Sequence, residues 1–88
     1  MEQQPELHVE DILVVDDSPT MARLLEMGLR KAGFSVRIAH DGKRAFEMAL
    51  DQPPDLVLAD VMMPVLDGVQ LTSLLRADPR TASTTIIL

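Results

Sequence analysis

No cysteine occurs among these 88 residues, which excludes a disulfide framework, a thiolate metal site and thiol redox chemistry, and agrees with a reducing, cytosolic setting. No apolar run approaches the ~18 residues that a membrane-spanning helix needs. The start, Met1-Glu2-Gln3-Gln4-Pro5-Glu6, lacks the basic and apolar regions of a secretory signal. A cytoplasmic address without membrane association is therefore expected. Basic residues are scarce, eight Lys and Arg against fourteen Asp and Glu, for a net charge of −6. The imbalance is local: residues 1–17 hold six acids and no Lys or Arg, and the remainder carries eight of each sign. With no basic face, direct nucleic-acid binding by this segment is not expected. Neither a Gly-x-Gly-x-x-Gly fingerprint nor a P-loop occurs, which argues against a dinucleotide or nucleotide site. There are no internal repeats.

What is present is a globular composition, 47% hydrophobic and 25% charged. The length allows one small domain, burying only ~60–65% of the surface its unfolded chain exposes. Residues 1–10 are polar and acidic, and the expectation is a disordered tail. From Asp11 the signals alternate between strand and helix. Ile12–Val15 is a continuous branched apolar run, as in a strand buried on both faces of a parallel sheet. Ser18 and Pro19 supply an N-cap and a first helical residue, after which Leu24, Leu25, Gly28, Leu29 and Ala32 recur at helical spacing and Gly33 suits a left-handed terminus. Phe34–Ala39 alternates as an edge strand does. Asp41 can cap a second helix to about Leu50, with Ala45, Phe46, Ala49 and Leu50 inward, stopped by Pro53-Pro54. Asp55–Asp60 reads as a third strand and Val61–Asp67 as a loop centred on Pro64. A third helix over 68–77 would bury Leu71, Leu74 and Leu75, and Thr84–Leu88 begins a fourth strand. This βαβαβαβ series predicts an α/β fold with parallel strands joined by right-handed crossovers.

The chemistry concentrates where strands end. Ile12-Leu13-Val14-Val15 runs into Asp16-Asp17, and Leu56-Val57-Leu58-Ala59 runs into Asp60. Open α/β sheets place their sites at the carboxyl ends of their strands, so these three carboxylates are expected to meet at one edge and to require a cation. Taken singly, each has a plainer reading: Asp16-Asp17 as acids favoured before a helix N-terminus, and Asp60 as an exposed turn residue. Met62 and Met63 read as apolar packing in the loop, and Asp67-Gly68 as turn and cap of the third helix. His8 and His40 share no metal-ligand spacing and read as solvated.

The succession strand-Asp16-Asp17-Ser18-Pro19, then strand-Asp60-x-x-Met63-Pro64-x-x-Asp67-Gly68, resembles the receiver domain of two-component response regulators. The resemblance runs from Asp11 to Leu88 and implies a doubly wound, flavodoxin-like sheet of order 2-1-3-4-5. It further implies Asp60 as phosphoacceptor, with Mg²⁺ held by Asp17, Asp60 and the backbone carbonyl of Met62 and with Asp16 holding a coordinated water. Pro64, Asp67 and Gly68 would position the loop beyond the acceptor. The implied partners are a sensor histidine kinase or phosphotransfer protein and an output domain in the parent chain.

A full receiver has five strands and five helices. The family's Ser or Thr at the end of the fourth strand and its Lys after the fifth have no counterpart in these 88 residues, so a partial receiver domain over 11–88 is expected, a piece of a longer regulator whose own reactivity is weak. Its uncovered apolar surface suggests self-association. Two other functions are weighed. A Mg²⁺-dependent phosphatase with an aspartyl nucleophile shares the acid chemistry, but Ser18 stands where its second acid belongs. A non-phosphorylated docking module would not need the three acids.

Overall fold

The apolar run of the first strand decides the architecture, because four consecutive side chains that cannot face water need cover on both sides. The computed structural model describes residues 9–63 and 66–88, and its elements are β1 (Asp11–Val15), α1 (Pro19–Lys31), β2 (Ser35–Ala39), α2 (Gly42–Asp51), β3 (Leu56–Ala59), α3 (Gly68–Ala77) and β4 (Thr85–Ile87). The strands form one parallel sheet in the order β2-β1-β3-β4. Ile12 to Val15 are each no more than 2% exposed. Leu13 and Val15 point into a core with Ala45 and Ala49 of α2, Val57 and Ala59 of β3, and Leu71 and Leu75 of α3. Ile12 and Val14 point the other way, toward Ala22, Leu25 and Leu29 of α1. One helix therefore covers one face of the sheet and two cover the other, the doubly wound arrangement expected from the sequence.

Local chemistry sets the ends of the elements. Ser18 Oγ accepts the Met21 N–H and Pro19 opens α1, while Gly33 takes φ +102° after it, a conformation that side chains resist. Asp41 Oδ1 accepts the Arg44 N–H at 2.7 Å. Asp67 and Gln70 form a reciprocal capping box at the start of α3. The buried Thr81 hydroxyl donates to the Leu75 carbonyl at 2.7 Å, tying the end of α3 to the segment that leads into β4.

Three expectations about packing are corrected. Leu24 is 59% exposed, because the inward stripe of α1 is the narrower set Ala22, Leu25 and Leu29, and Gly28 and Ala32 are also exposed. Leu74 is 39% exposed, since Leu71 and Leu75 alone fill the space between α3 and the sheet. Met62 is 80% exposed and contributes no packing, whereas its neighbour Met63 is buried in the core. Of the expected tail over residues 1–10, residues 1–8, with His8, lie outside the described residues, as does the loop residue Pro64, whereas Val9 packs on the core and Glu10 is bonded to Asp55 and Ser35, so the ordered fold begins earlier than expected. No helix among the described residues is long and apolar enough to cross a membrane.

At the amino ends of the strands, opposite charges and backbone donors tie the sheet together. Arg37 holds Asp11 through two contacts, Nη2 to Oδ2 at 2.7 Å and Nε to Oδ1 at 3.3 Å, and also donates to the Gln52 carbonyl. The Asp55 carboxylate accepts the N–H groups of Asp11 and Glu10 at 2.9 Å, which holds its pKa below the ordinary carboxylate value. Asp55 thus loses its proton more readily in the folded chain than in the unfolded one. Its contribution to stability is complete above about pH 4 and vanishes as pH falls through the folded-state value. Asp55→Asn is expected to cost at most about 1 kcal/mol at neutral pH, because water screens an exposed charge. Denaturant melts should show that gap closing in acid, and an equal gap at both pH values would refute the assignment.

Candidate functional site

Register brings the acidic residues together. Val15 of β1 lies beside Ala39 of β2 on one side and Ala59 of β3 on the other, so the residues that follow emerge at one level of the sheet. Backbone bonds continue the ladder one step further: the Asp16 N–H donates to the Ala39 carbonyl at 3.1 Å, and the Asp60 N–H to the Val15 carbonyl at 2.9 Å. One carboxylate oxygen from each of Asp16, Asp17 and Asp60 lies within 4.8 Å of the others. Asp16 is buried, Asp60 half-buried and Asp17 exposed.

The charges in this cluster are met by backbone donors. Asp16 Oδ1 accepts the Ser18 N–H at 2.8 Å, and Asp60 Oδ1 accepts the Met62 N–H at 3.0 Å. The ion pairs among the described residues all lie elsewhere. Ionised carboxylates this close repel one another, and water at the exposed Asp17 screens part of that repulsion. A donor set of oxygens alone, without imidazole or thiolate, suits a hard divalent cation of the Mg²⁺ type, so the residues present fit the ion expected from the sequence.

The loop beyond Asp60 is held from both ends. Met63 is fixed in the core, and the α3 N-terminus docks back on the strand end, with the Gly68 N–H donating to the Val61 carbonyl at 3.2 Å. A Cβ on Gly68 would stand 2.7 Å from the Asp60 carbonyl oxygen and 3.2 Å from Val61 Cα. Glycine is therefore required for this approach. Asp67 acts as the N-cap described above. His40 differs from its expected role as a simply solvated side chain: the ring is exposed, but Nδ1 lies 3.2 Å from the Asp16 carbonyl oxygen. The signal was its position at the end of β2, since β2 and β1 deliver their carboxyl ends side by side.

A family model described as the response regulator receiver domain matches residues 12–88. The chain belongs to the receiver domain family of response regulators. Its relatives include the transcriptional regulatory protein PrrA of Mycobacterium tuberculosis, 47% identical over 66 residues, a match that covers 75% of this chain and 28% of PrrA. This receiver domain thus spans little more than a quarter of that relative's length. Among solved structures it resembles the N-terminal domain of a response regulator receiver protein from Methanoculleus marisnigri, at 34% identity and a TM-score of 0.85 over 90% of this chain and 64% of that one. The receiver domain of the sensor histidine kinase PA1611 from Pseudomonas aeruginosa is equally similar, at 34% identity and a TM-score of 0.84 over 90% and 65%. That crystal structure has a magnesium ion coordinated in the active site cleft.

Proposed function

We propose that this receiver domain is the phosphoacceptor module of a two-component phosphorelay, taking a phosphoryl group from a histidine kinase or phosphotransfer protein onto Asp60 with Mg²⁺. The observation that carries this reading is the meeting of three carboxylate oxygens within 4.8 Å at the carboxyl edge of the sheet. Asp17 and Asp60, together with the Met62 carbonyl, would hold the ion, and Asp16 would support it through a water. When bound, the cation supplies the positive charge that lets an anionic nucleophile approach an anionic phosphoryl group.

The protein's own part is positioning. The Met62 N–H engages Asp60 Oδ1, and Oδ2 would meet the incoming group. Oδ2 forms the O–P bond as the P–N bond of the phosphohistidine breaks, and the electron pair remains on the imidazole nitrogen. The nucleophile is the carboxylate, so the step needs no general base. Slow hydrolysis of the acyl phosphate returns the carboxylate and resets the switch. Gly68 and Asp67 keep the α3 terminus against the Asp60 backbone. The reading carries with it a cytoplasmic address and an output domain elsewhere in the parent protein, as the name of the PrrA relative suggests for its kind.

In solution, Mg²⁺ should move the amide resonances of residues around Asp16, Asp17 and Asp60 and leave those of Asp17→Ala in place. Equal responses in both proteins would remove Asp17 from the site. Affinity should be weak, since a surface cation that keeps most of its waters gains little from two or three ligands.

Incubation with acetyl phosphate and Mg²⁺, followed by intact-mass spectrometry, should label a parent protein that continues through the family's hydroxyl and Lys positions. The 88-residue chain should react ~10²–10³ more slowly, the usual cost of removing a preorganised charge-stabilising donor. Asp60→Asn should abolish labelling in both. Rapid labelling of the short chain would show that those groups matter far less than proposed.

The 88-residue chain should also self-associate. β4 forms one border of the sheet, with Ile87 48% and Leu88 51% exposed, and Leu24 and Met27 stand exposed on α1. Sedimentation at micromolar concentration should give a dimer that Ile87→Lys dissolves. A cooperatively folded monomer of the unsubstituted chain would count against it.

A further inference from the structure

The first residue of α2, remote in sequence from the acids, is built into the same edge of the sheet. Gly42 is buried, and a side chain there would have no room. A methyl group would overlap the Leu66 carbonyl oxygen and stand 2.9 Å from Leu66 Cβ and 3.0 Å from Cγ. Gly28, the other helical glycine away from the acids, shows the contrast, for a methyl there meets nothing within 4 Å.

Neither side of the Gly42 contact can retreat freely. On one side, Asp41 caps α2 through the Arg44 N–H, its carbonyl accepts the Ala45 N–H at 3.0 Å, and Ala45 is fully buried in the core. On the other, Leu66 is followed directly by Asp67 and Gly68. Asp67 is locked into its capping box with Gln70, and Gly68 stands against the backbone of Asp60 and Val61. Any push on Leu66 is therefore passed through two covalently adjacent residues to the residue that carries the acceptor carboxylate.

We propose that Gly42 is a positioning residue for the Asp60 site, setting how closely the α3 terminus seats on the Asp60 backbone through its side-chain-free contact with Leu66. The inference rests on the reading of Asp60 and its neighbours as a Mg²⁺-dependent site, but the relay itself is a property of the metal-free protein.

Gly42→Ala, Leu66→Ala and the control Gly28→Ala test it, each compared with the unsubstituted chain by amide chemical shifts without metal and by Mg²⁺ titration. Gly42→Ala should shift the metal-free resonances of Asp60, Val61 and Gly68 and weaken Mg²⁺ binding by about tenfold, the lower end of what supporting residues contribute to metal affinity. Gly28→Ala should change neither, although it alters helix propensity, so a purely structural effect on stability is separated from positioning. A folded Gly42→Ala protein whose shifts are confined to residues 40–46 and Leu66, or whose Mg²⁺ affinity is unchanged, would overturn the proposal. If Gly42→Ala does not fold, Leu66→Ala carries the test, because it removes the Cγ packed over Gly42 while keeping the Leu66 carbonyl and Cβ in place. It should shift the Asp60 amide and weaken Mg²⁺ binding, and an unchanged Asp60 amide would refute the relay. An unsubstituted chain with no Mg²⁺ response would sink the metal reading alone, leaving the metal-free shifts to decide the role of Gly42.

Discussion

The acidic edge depends on β1 lying inside the sheet, with a parallel partner on each side. Because side chains alternate along a strand, a slip of one residue against either partner would exchange its two buried faces, putting Ile12 and Val14 into the core that Leu13 and Val15 now fill. The burial of Ile12, Leu13, Val14 and Val15 therefore locks the register with β2 and β3. That same register fixes the level at which Asp16 and Asp60 leave their strands. Hydrophobic burial, which is not directional, thereby aims polar groups that would not assemble by themselves, since their mutual charge drives them apart.

The backbone donors around the cluster complete the arrangement. Each N–H aimed at Asp16 or Asp60 comes from two residues further along the chain, Ser18 and Met62. Both carboxylates are thus oriented by their own strand-end turns. The glycine at 68 allows the first turn of α3 to reach the segment that carries the Asp60 turn, and the glycine at 42 allows the first turn of α2 to reach Leu66. Backbone packed at this distance leaves little slack, so a change of one methyl group in the support is felt at the carboxylate.

Much of this was readable from residue order. Unbroken apolar runs marked strands buried on both faces, and Ser18-Pro19, Asp41 and Asp67 marked helix starts by chemistry that acts within a few residues. The convergence of Asp16, Asp17 and Asp60 followed from strand ends in a parallel sheet. What escaped depended on shape between elements. Leu24 and Leu74 have the right spacing for a core but lie to the side of the line along which each helix touches the sheet, and periodicity cannot resolve that angle. Met62 and Met63 are chemically alike and adjacent, and only the path of the loop sends one into the core and the other into water. His40 and Gly42 acquire their contacts from neighbours 24 residues away in each case, Asp16 and Leu66.

The two ends of the sheet are held by opposite means. At the amino ends, Arg37, Asp11, Gln52 and Asp55 tie β2, β1 and the approach to β3 together with attractive contacts. At the carboxyl ends, three like charges strain against the packing beneath them. Low ionic strength strengthens that repulsion and added positive charge weakens it. A positive charge at the rim of this sheet therefore relieves repulsion without requiring any strand to move.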